Sequence, residues 1–329
     1  MLSSLIRLCV HRRLPVLAAV AGIAAYGVAA YRSTAIEAFP DVTNMQVMVI
    51  AQMPGQAPEE VERQVTIPLE RVLNGTQGMI EMRSESLFGL SRIWLVFDDG
   101  VDGFRARTIV TEKMQEADLP EGVQPELAPD DTPLGEIYQY RLVSDRHAPE
   151  RIRSEQEWAV SRILRQVPGV ADVVNFGGFL KEIHVLVDTA ALSAHGLTLE
   201  DLCGAIARSN QNVGGGFIRH GDQELVIRGV GYLHDPREIG QTVLKNEGGT
   251  PVTVGDVATL VVSSTPRRGN IGYGDKIDVT EGFVLLRRGE NPSRVLDGVH
   301  QKVAELNDHI LPKGMRIEPF YDRTTLVDL

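Results

Sequence analysis

Cysteine is nearly missing: the 329 residues hold two, Cys9 and Cys203. That number supports no disulfide framework, and no CxxC or Cys/His spacing suited to zinc is present. Aromatic residues are sparse at 5%, which argues mildly against a large ring-lined cleft for drug-like molecules. Positive charge is in deficit, with 33 Lys and Arg against 44 Asp and Glu and a net charge of −11. With no basic stripe either, nucleic acid is excluded as a partner. The nucleophile elbow, HExxH and the phosphate loop are also lacking. "GGFLKE" and "NVGGGF" contain glycines without GxGxxG spacing or a strand-to-helix context. The chain is therefore read as no enzyme, with no cofactor and no catalytic residue.

Long apolar runs are missing too, with one exception. Leu14 to Tyr31, "LPVLAAVAGIAAYGVAAY", is a run of 18 uncharged residues, and as a helix it spans about 27 Å, close to a bilayer core. Arg7, His11, Arg12 and Arg13 precede it, whereas Arg32, Glu37 and Asp41 follow. The positive-inside rule then predicts a cytoplasmic N-terminus and the bulk of the chain outside. The run is longer than a signal-peptide core, so an uncleaved anchor is favoured over a cleaved leader. Its alanines and glycines suit close packing against other helices in lipid.

Beyond the anchor the hydrophobic period alternates between 2 and 3.6. Strands are predicted over 45–53, 78–86, 90–97 and 123–127. Helices are predicted over 58–73, with Pro68 kinking it, and after Asp102, with Phe104, Ile109, Val110 and Met114 inward. The order is β-α-β-β-α-β, the split βαβ arrangement. It recurs with strands over 136–143, 170–176, 283–288 and 315–321 and helices over 149–166 and 292–307. Short echoes align the copies. Gly78 in "QGMIEM" and Gly169 in "PGVADV" are 91 apart, whereas Leu119 in "LPEGVQPEL" and Leu311 in "LPKGMRIEP" are 192 apart. The second copy therefore holds an extra 101 residues, placed at roughly Lys181 to Asp275.

The insertion contains "KEIHVLVD", a helix over 198–210 and then "NVGGGFIRHGDQELVIRGVGYL". Two strand-like runs flank Gly221 and Asp222, a plausible hairpin turn. Gly214, Gly215 and Gly216 free that hairpin to project toward a neighbouring subunit. Cys203, among Leu199, Leu202 and Ile206, is expected to be a small core residue. Asp98, Asp99 and Asp102 lack the remaining ligands of a Ca²⁺ site and read as a turn plus helix cap. Thioethers favour soft metals, but Met45 and Met53 share a strand face from which Met48 points away. Core or cleft packing is the expectation for the methionines, and no metal ligand is assigned. Arg83 sits in a half-buried strand, so it needs a carboxylate partner or a solvated cleft.

Together, "FPDVTNMQV", "PGQAPEEVERQVTIPLE", "RSESLFGLSRIWLVFDDGVD", "LGEIYQY", "PGVADVVNFGGFLKEIHVLVD", "RRGENPSRVL" and "LPKGMRIEPFYDR" resemble the heavy-metal efflux branch of the resistance-nodulation-division (RND) transporters. The resemblance implies an α+β fold: two ferredoxin-like split βαβ porter subdomains with an inserted docking subdomain, plus one N-terminal transmembrane helix. The implied map is a cytoplasmic N-terminus at 1–13, transmembrane helix 14–31, porter subdomain PN1 at 38–133, PN2 at 134–180 and 276–329, and the docking subdomain at 181–275. It implies the N-terminal part of a proton-driven pump in the bacterial inner membrane, working as a homotrimer with a periplasmic adaptor and an outer-membrane channel and exporting a metal cation. Arg83 and Met48 are the expected cleft-lining residues, and the hairpin at 212–233 the expected arm between protomers. Ile67 stands where the family usually has tyrosine, and "LAPDDTP" departs from its linker pattern. The resemblance places the family's metal ligands and proton-relay acids beyond the position of Leu329, so none of them is assigned in this chain. A multidrug RND pump fragment and a stand-alone membrane-tethered periplasmic module are the alternatives.

Overall fold

The structure, a computed structural model, describes residues 12–33, 43–132, 134–221, 223–266 and 269–327. Cys9, most of the N-terminal segment and Asp222 of the hairpin turn lie outside these residues. Helix α1 (Arg13–Ser33) contains the one stretch among the described residues that is long and apolar enough to cross a membrane. None of that stretch is buried by the rest of the protein.

The first α/β unit starts with β1 (Gln46–Gln52). Its alternation is visible in the burial: Val47, Val49 and Ala51 are at most 1% exposed, whereas Gln46, Met48 and Ile50 face the other way. Helix α2 follows in three parts, an α-turn (Pro58–Val61), a π-turn (Glu62–Thr66) and an α-segment (Ile67–Leu73). Strands β2 (Met79–Leu87) and β3 (Leu90–Phe97) form a hairpin. Helix α3 (Gly103–Met114) is capped by Asp102, which accepts from the Arg105 N–H, and β4 (Pro125–Leu127) closes the sheet. The order is β2-β3-β1-β4, with both helices on one face. Val61, Val65, Leu69, Ala106 and Val110 pack there against Val47, Val49, Ile93 and Leu95.

The second unit repeats the plan. It has β5 (Glu136–Ser144), a helix α4 in three parts (Pro149–Glu155, π-turn Gln156–Val160, Ser161–Leu164) and β6 (Val170–Gly177). It resumes at β15 (Thr280–Leu286), helix α9 (Pro292–Glu305) with a terminal π-turn (Leu306–Ile310), and β16 (Met315–Asp322). The order β16-β5-β15-β6 places equivalent strands at equivalent positions in both sheets. The repeat read from the echoes is thus a repeat of topology.

Pro68 does not by itself explain the broken first helix. The equivalent helix also has a π-turn, most of a turn farther along, with no proline in it. Both turns carry a buried hydroxyl aimed at the carbonyl five residues back, Thr66 to Val61 at 3.5 Å and Ser161 to Gln156 at 2.7 Å. The shared hydroxyl fits the two π-turns better than the unshared ring does.

Between β6 and β15 lies a body with its own core of Leu192, Leu202, Val252, Val254 and Val257. Strands β7 (Lys181–Val187) and β12 (Ala258–Ser264) pair across it. Helices α5 (Thr189–Ala194) and α6 (Leu199–Ser209) follow β7, and α7 (Pro236–Gly240), β10 (Val243–Glu247), β11 (Thr250–Thr253) and α8 (Val254–Val257) lead into β12. From α6 the chain runs into β8 (Val213–His220) and β9 (Gln223–Gly229), which among the described residues pair with each other alone.

Two packing expectations fail. Cys203 is exposed, because α6 turns Leu202 and Ala205 inward and a Cys next to Leu202 lands on the outer side. Phe104 is 82% exposed, because it lies at the open start of α3, where Ala106, Val110 and Met114 supply the inward face.

Candidate functional site

The face of the first sheet away from its helices has no covering layer among the described residues. Three rows cross it, fixed by strand register. Glu81, Val96 and Gln46 form the first, Arg83, Trp94 and Met48 the second, and Glu85, Arg92 and Ile50 the third. The alternating sequence "LSRIWLVF" creates them, since Arg92, Trp94 and Val96 share one face while Ile93, Leu95 and Phe97 enter the core.

The charges on this face are paired. Arg83 grips Glu81 through Nε and Nη2 at 2.7 and 3.0 Å. This hydrogen bond holds the Glu81 carboxyl below its ordinary value and raises Arg83. Arg92 pairs with Glu85 across the hairpin, and its guanidinium lies 5.3 Å from the Trp94 ring centroid. Between these groups opens a groove of about 730 Å³, lined by Gln46, Glu81, Arg83, Glu85, Trp94 and Val96 among others.

Thr43 and Asn44 complete one end of the groove, and the second unit holds that end. Arg288 donates to the Thr43 carbonyl at 3.2 Å, the Thr43 hydroxyl at 3.1 Å and the Asn44 carbonyl at 3.4 Å. The geometry of the groove is therefore tied to the position of the second sheet.

Of the two expected lining residues, Arg83 lies in the groove. Met48 lies in the same row on the far side of Trp94, outside the groove's lining. Met45 and Met114 are buried, and Met53, Met79 and Met82 pack around the same helix-side core. Among the described residues no group of three or more His, Cys, Asp or Glu is placed to hold a metal ion. A bare cation in the groove would have to compete with Arg83 for Glu81. Trp94 and Arg92 were missed in the sequence, although the alternation that buries Ile93 and Leu95 puts both on the outer face.

The hairpin β8–β9 is the second candidate. Every described residue of both strands is exposed, including Phe217 at 68% and Val226 at 72%. The register slips between Gly214 and Phe217, so Gly215 and Gly216 form a bulge. Gly216 has φ +80° and Gly221, at the turn, +64°, while a Cβ on Gly215 would lie 2.7 Å from Ile227 Cγ2. The base is pinned by Asn210 and Asn212, whose side-chain oxygens accept from the Leu233 and Gly231 N–H groups at 3.0 Å each. Exposed apolar residues on a pinned arm of this kind mark a contact surface.

Comparison with known proteins gives consistent matches. The model of the AcrB/AcrD/AcrF family matches residues 5–329. The cation efflux system protein CzcA of Alcaligenes sp. (strain CT14) is 36% identical over 339 residues, covering 100% of this chain and 32% of its own length. The cation efflux system protein CusA of Escherichia coli K12 is 36% identical over 333 residues with the same coverage. A crystal structure of a heavy metal efflux pump superposes with a TM-score of 0.88 at 40% identity, over 98% of this chain and 33% of that one. The chain thus spans about a third of the length of these relatives.

Proposed function

The chain belongs to the AcrB/AcrD/AcrF family, and from that premise we propose that it is the N-terminal part of a proton-driven pump exporting heavy-metal cations across the cell envelope. In this reading α1 is an inner-membrane anchor with its N-terminus in the cytoplasm. The two repeated units are porter subdomains PN1 (38–133) and PN2 (134–180 with 276–329). The body between them is a docking subdomain (181–275). The arm β8–β9, with Gly214, Gly215, Gly216, Gly221 and Asp222, reaches a neighbouring copy in a homotrimer. An adaptor and an outer-membrane channel complete the path. Arg83 lines a cleft on that path, with Met48 behind it.

The observation that carries the reading is the doubled 4-1-3-2 sheet order directly after one apolar helix. It is matched over 98% of the chain by a heavy metal efflux pump. The sparse aromatics favour a metal cargo over a drug.

A chimera tests the proposal. This chain replaces the matching third of a CzcA-type protein in cells lacking their own pump, and growth is scored on zinc, cobalt, cadmium, copper and silver salts and on cationic dyes. Restored tolerance to a metal salt is the expected result. Tolerance to dyes alone supports the multidrug reading. A chimera that assembles at normal level and protects against nothing sinks both.

A further inference from the structure

The last strand of the second sheet changes parity near its end. On β16, Ile317 and Pro319 stand opposite Leu142 and Tyr140 of β5, but the register then slips, and Tyr321 and Asp322 stand opposite Gln139 and Tyr138. Tyr138, Tyr140 and Leu142 all belong to the helix-side core. Plain alternation from Ile317 would send Asp322 to the outer face, and the extra residue turns it inward instead. Asp322 lands on α9, where His300 Nε2 lies 2.6 Å from its Oδ2. The Tyr138 ring meets the His300 ring edge-on, at 5.7 Å between centroids.

Asp322 also organises the segment that leaves the sheet. Its Oδ1 accepts from the Thr324 N–H at 2.9 Å and its carbonyl from the Thr325 hydroxyl at 2.8 Å, at the start of α10 (Thr324–Val327). The next residue, Arg323, is 8% exposed. Its guanidinium donates to the carbonyls of Leu134 and Glu136, where the linker from the first unit enters β5. The exit of the second sheet is thus bonded to its entrance, and one side chain of α9 holds that exit in place.

Burial pushes the Asp322 carboxyl up, but the hydrogen bonds from Thr324 and His300 outweigh that and hold it below its ordinary 3.8. Histidine changes charge between about pH 5 and 8, and its charged form makes the stronger bond to a carboxylate. The other groups around the pair are placed as follows among the described residues. Burial and the Asp322 charge push the Tyr138 hydroxyl up to about 12, so it stays neutral. Glu136 accepts from Gln139 at 2.6 Å, while Asp297 on α9 and Arg162 and Arg165 at the end of α4 are exposed. Arg141, Arg316 and Glu318 bond one another on the opposite face. There Tyr273, of the short hairpin β13 (Gly272–Tyr273) and β14 (Lys276–Ile277), covers Arg141 at 3.8 Å. We propose that His300 and Asp322 form a proton-operated latch: a proton on His300 locks the exit of the second sheet in place, and loss of that proton slackens it. The bond needs a charged Asp322 and gains from a charged His300. It is therefore strongest between about pH 4 and 6 and weakens as pH rises toward about 8. Because Arg323 ties the same exit to the linker, acid surroundings stiffen the link between the two units as well.

Amide hydrogen exchange of the full 329-residue chain in detergent tests this without any transport, so failure of the transport reading leaves the result untouched. Protection factors, which remove the intrinsic effect of pH on exchange, are read for residues 322–327 at about pH 5.5 and about pH 8. The parent is compared with His300→Gln and His147→Gln. Parent protection is expected to be about fivefold higher at the lower pH, the gap between a neutral and a charge-assisted bond. His300→Gln keeps a neutral donor and is expected to show equal protection at both pH values. His147, whose ring bonds Ser144 at the other end of β5, is the control, and His147→Gln is expected to behave as the parent does. Equal protection at both pH values in the parent overturns the proposal, as does a pH dependence that survives His300→Gln or disappears in His147→Gln. Should His300→Gln fail to fold, Asp322→Asn decides: it is expected to lose the pH dependence, and keeping it overturns the proposal.

Discussion

Glu281 loses water on folding and its carboxyl is pushed above the ordinary value of 4.5, with the nearby Arg141 charge pulling the other way. A raised carboxyl means that the unfolded chain releases this proton first as pH rises. Stability is therefore lost from about pH 4.5 upward until the folded-state value is passed, and it is constant beyond. Glu281→Gln removes the titration. The variant is expected to unfold at a higher denaturant midpoint than the parent at pH 7.5, with the gap shrinking by pH 4. A gap of one size at both pH values would show that burial of the charge is not its source. The opposite sign holds at Asp102, where a cap is lost rather than a cost removed. Asp102→Ala is expected to lose about 1 kcal/mol of stability by the same assay, and no loss would mean that the Arg105 N–H finds water equally good.

At the scale of elements, the two π-turns share a design that differs in its partners. Thr66 Oγ1 meets Ser86 and Ser91 at 2.8 Å each, so it ties α2 to the β2–β3 hairpin beneath the groove. Thr66→Val leaves two hydroxyls short of a partner at a buried position. A loss of about 1–3 kcal/mol in a urea titration is expected, and an unchanged midpoint would show that the serines satisfy each other. The arm behaves differently because its strands pair only with each other. Gly216→Val places a branched residue at φ +80°, which β-branched side chains strongly resist. Faster proteolysis within 213–229, with the global midpoint unchanged, is the expected outcome. Strands and helices of this kind were legible because burial writes its period into nearby residues. Side chains whose surroundings come from distant segments were not. Phe104 lies two residues before Ala106 and so falls off the stripe of Ala106, Val110 and Met114 that α3 turns inward. The Arg141 to Glu318 contact joins residues 177 apart, and no local pattern reports a register between strands so remote.

At the scale of the whole molecule, the two sheets are held together in part by the Arg288 hydrogen bonds to Thr43 and Asn44. Arg288→Met is expected to leave both cores intact and to speed proteolytic cleavage near residues 129–135, as the units move more independently. Unaltered cleavage would place the restraint elsewhere. A different consequence follows from the inserted body. Its two ends leave the second sheet at Gly177 and return at Thr280, which are direct cross-strand partners, just where the first unit has only Phe88 and Gly89 between its strands. For a growing or refolding chain, the second sheet therefore has to close a loop of about a hundred residues to pair β6 with β15. The entropy lost in closing a loop grows with its length, and pairing of remote segments slows folding. If the inserted body collapses first around Leu202 and Val257, its paired strands β7 and β12 bring those ends closer, and the long loop shortens to about eighteen residues, 178–180 on one side and 265–279 on the other. The body that looks like an interruption in the sequence then acts as the clasp that assembles the sheet around it.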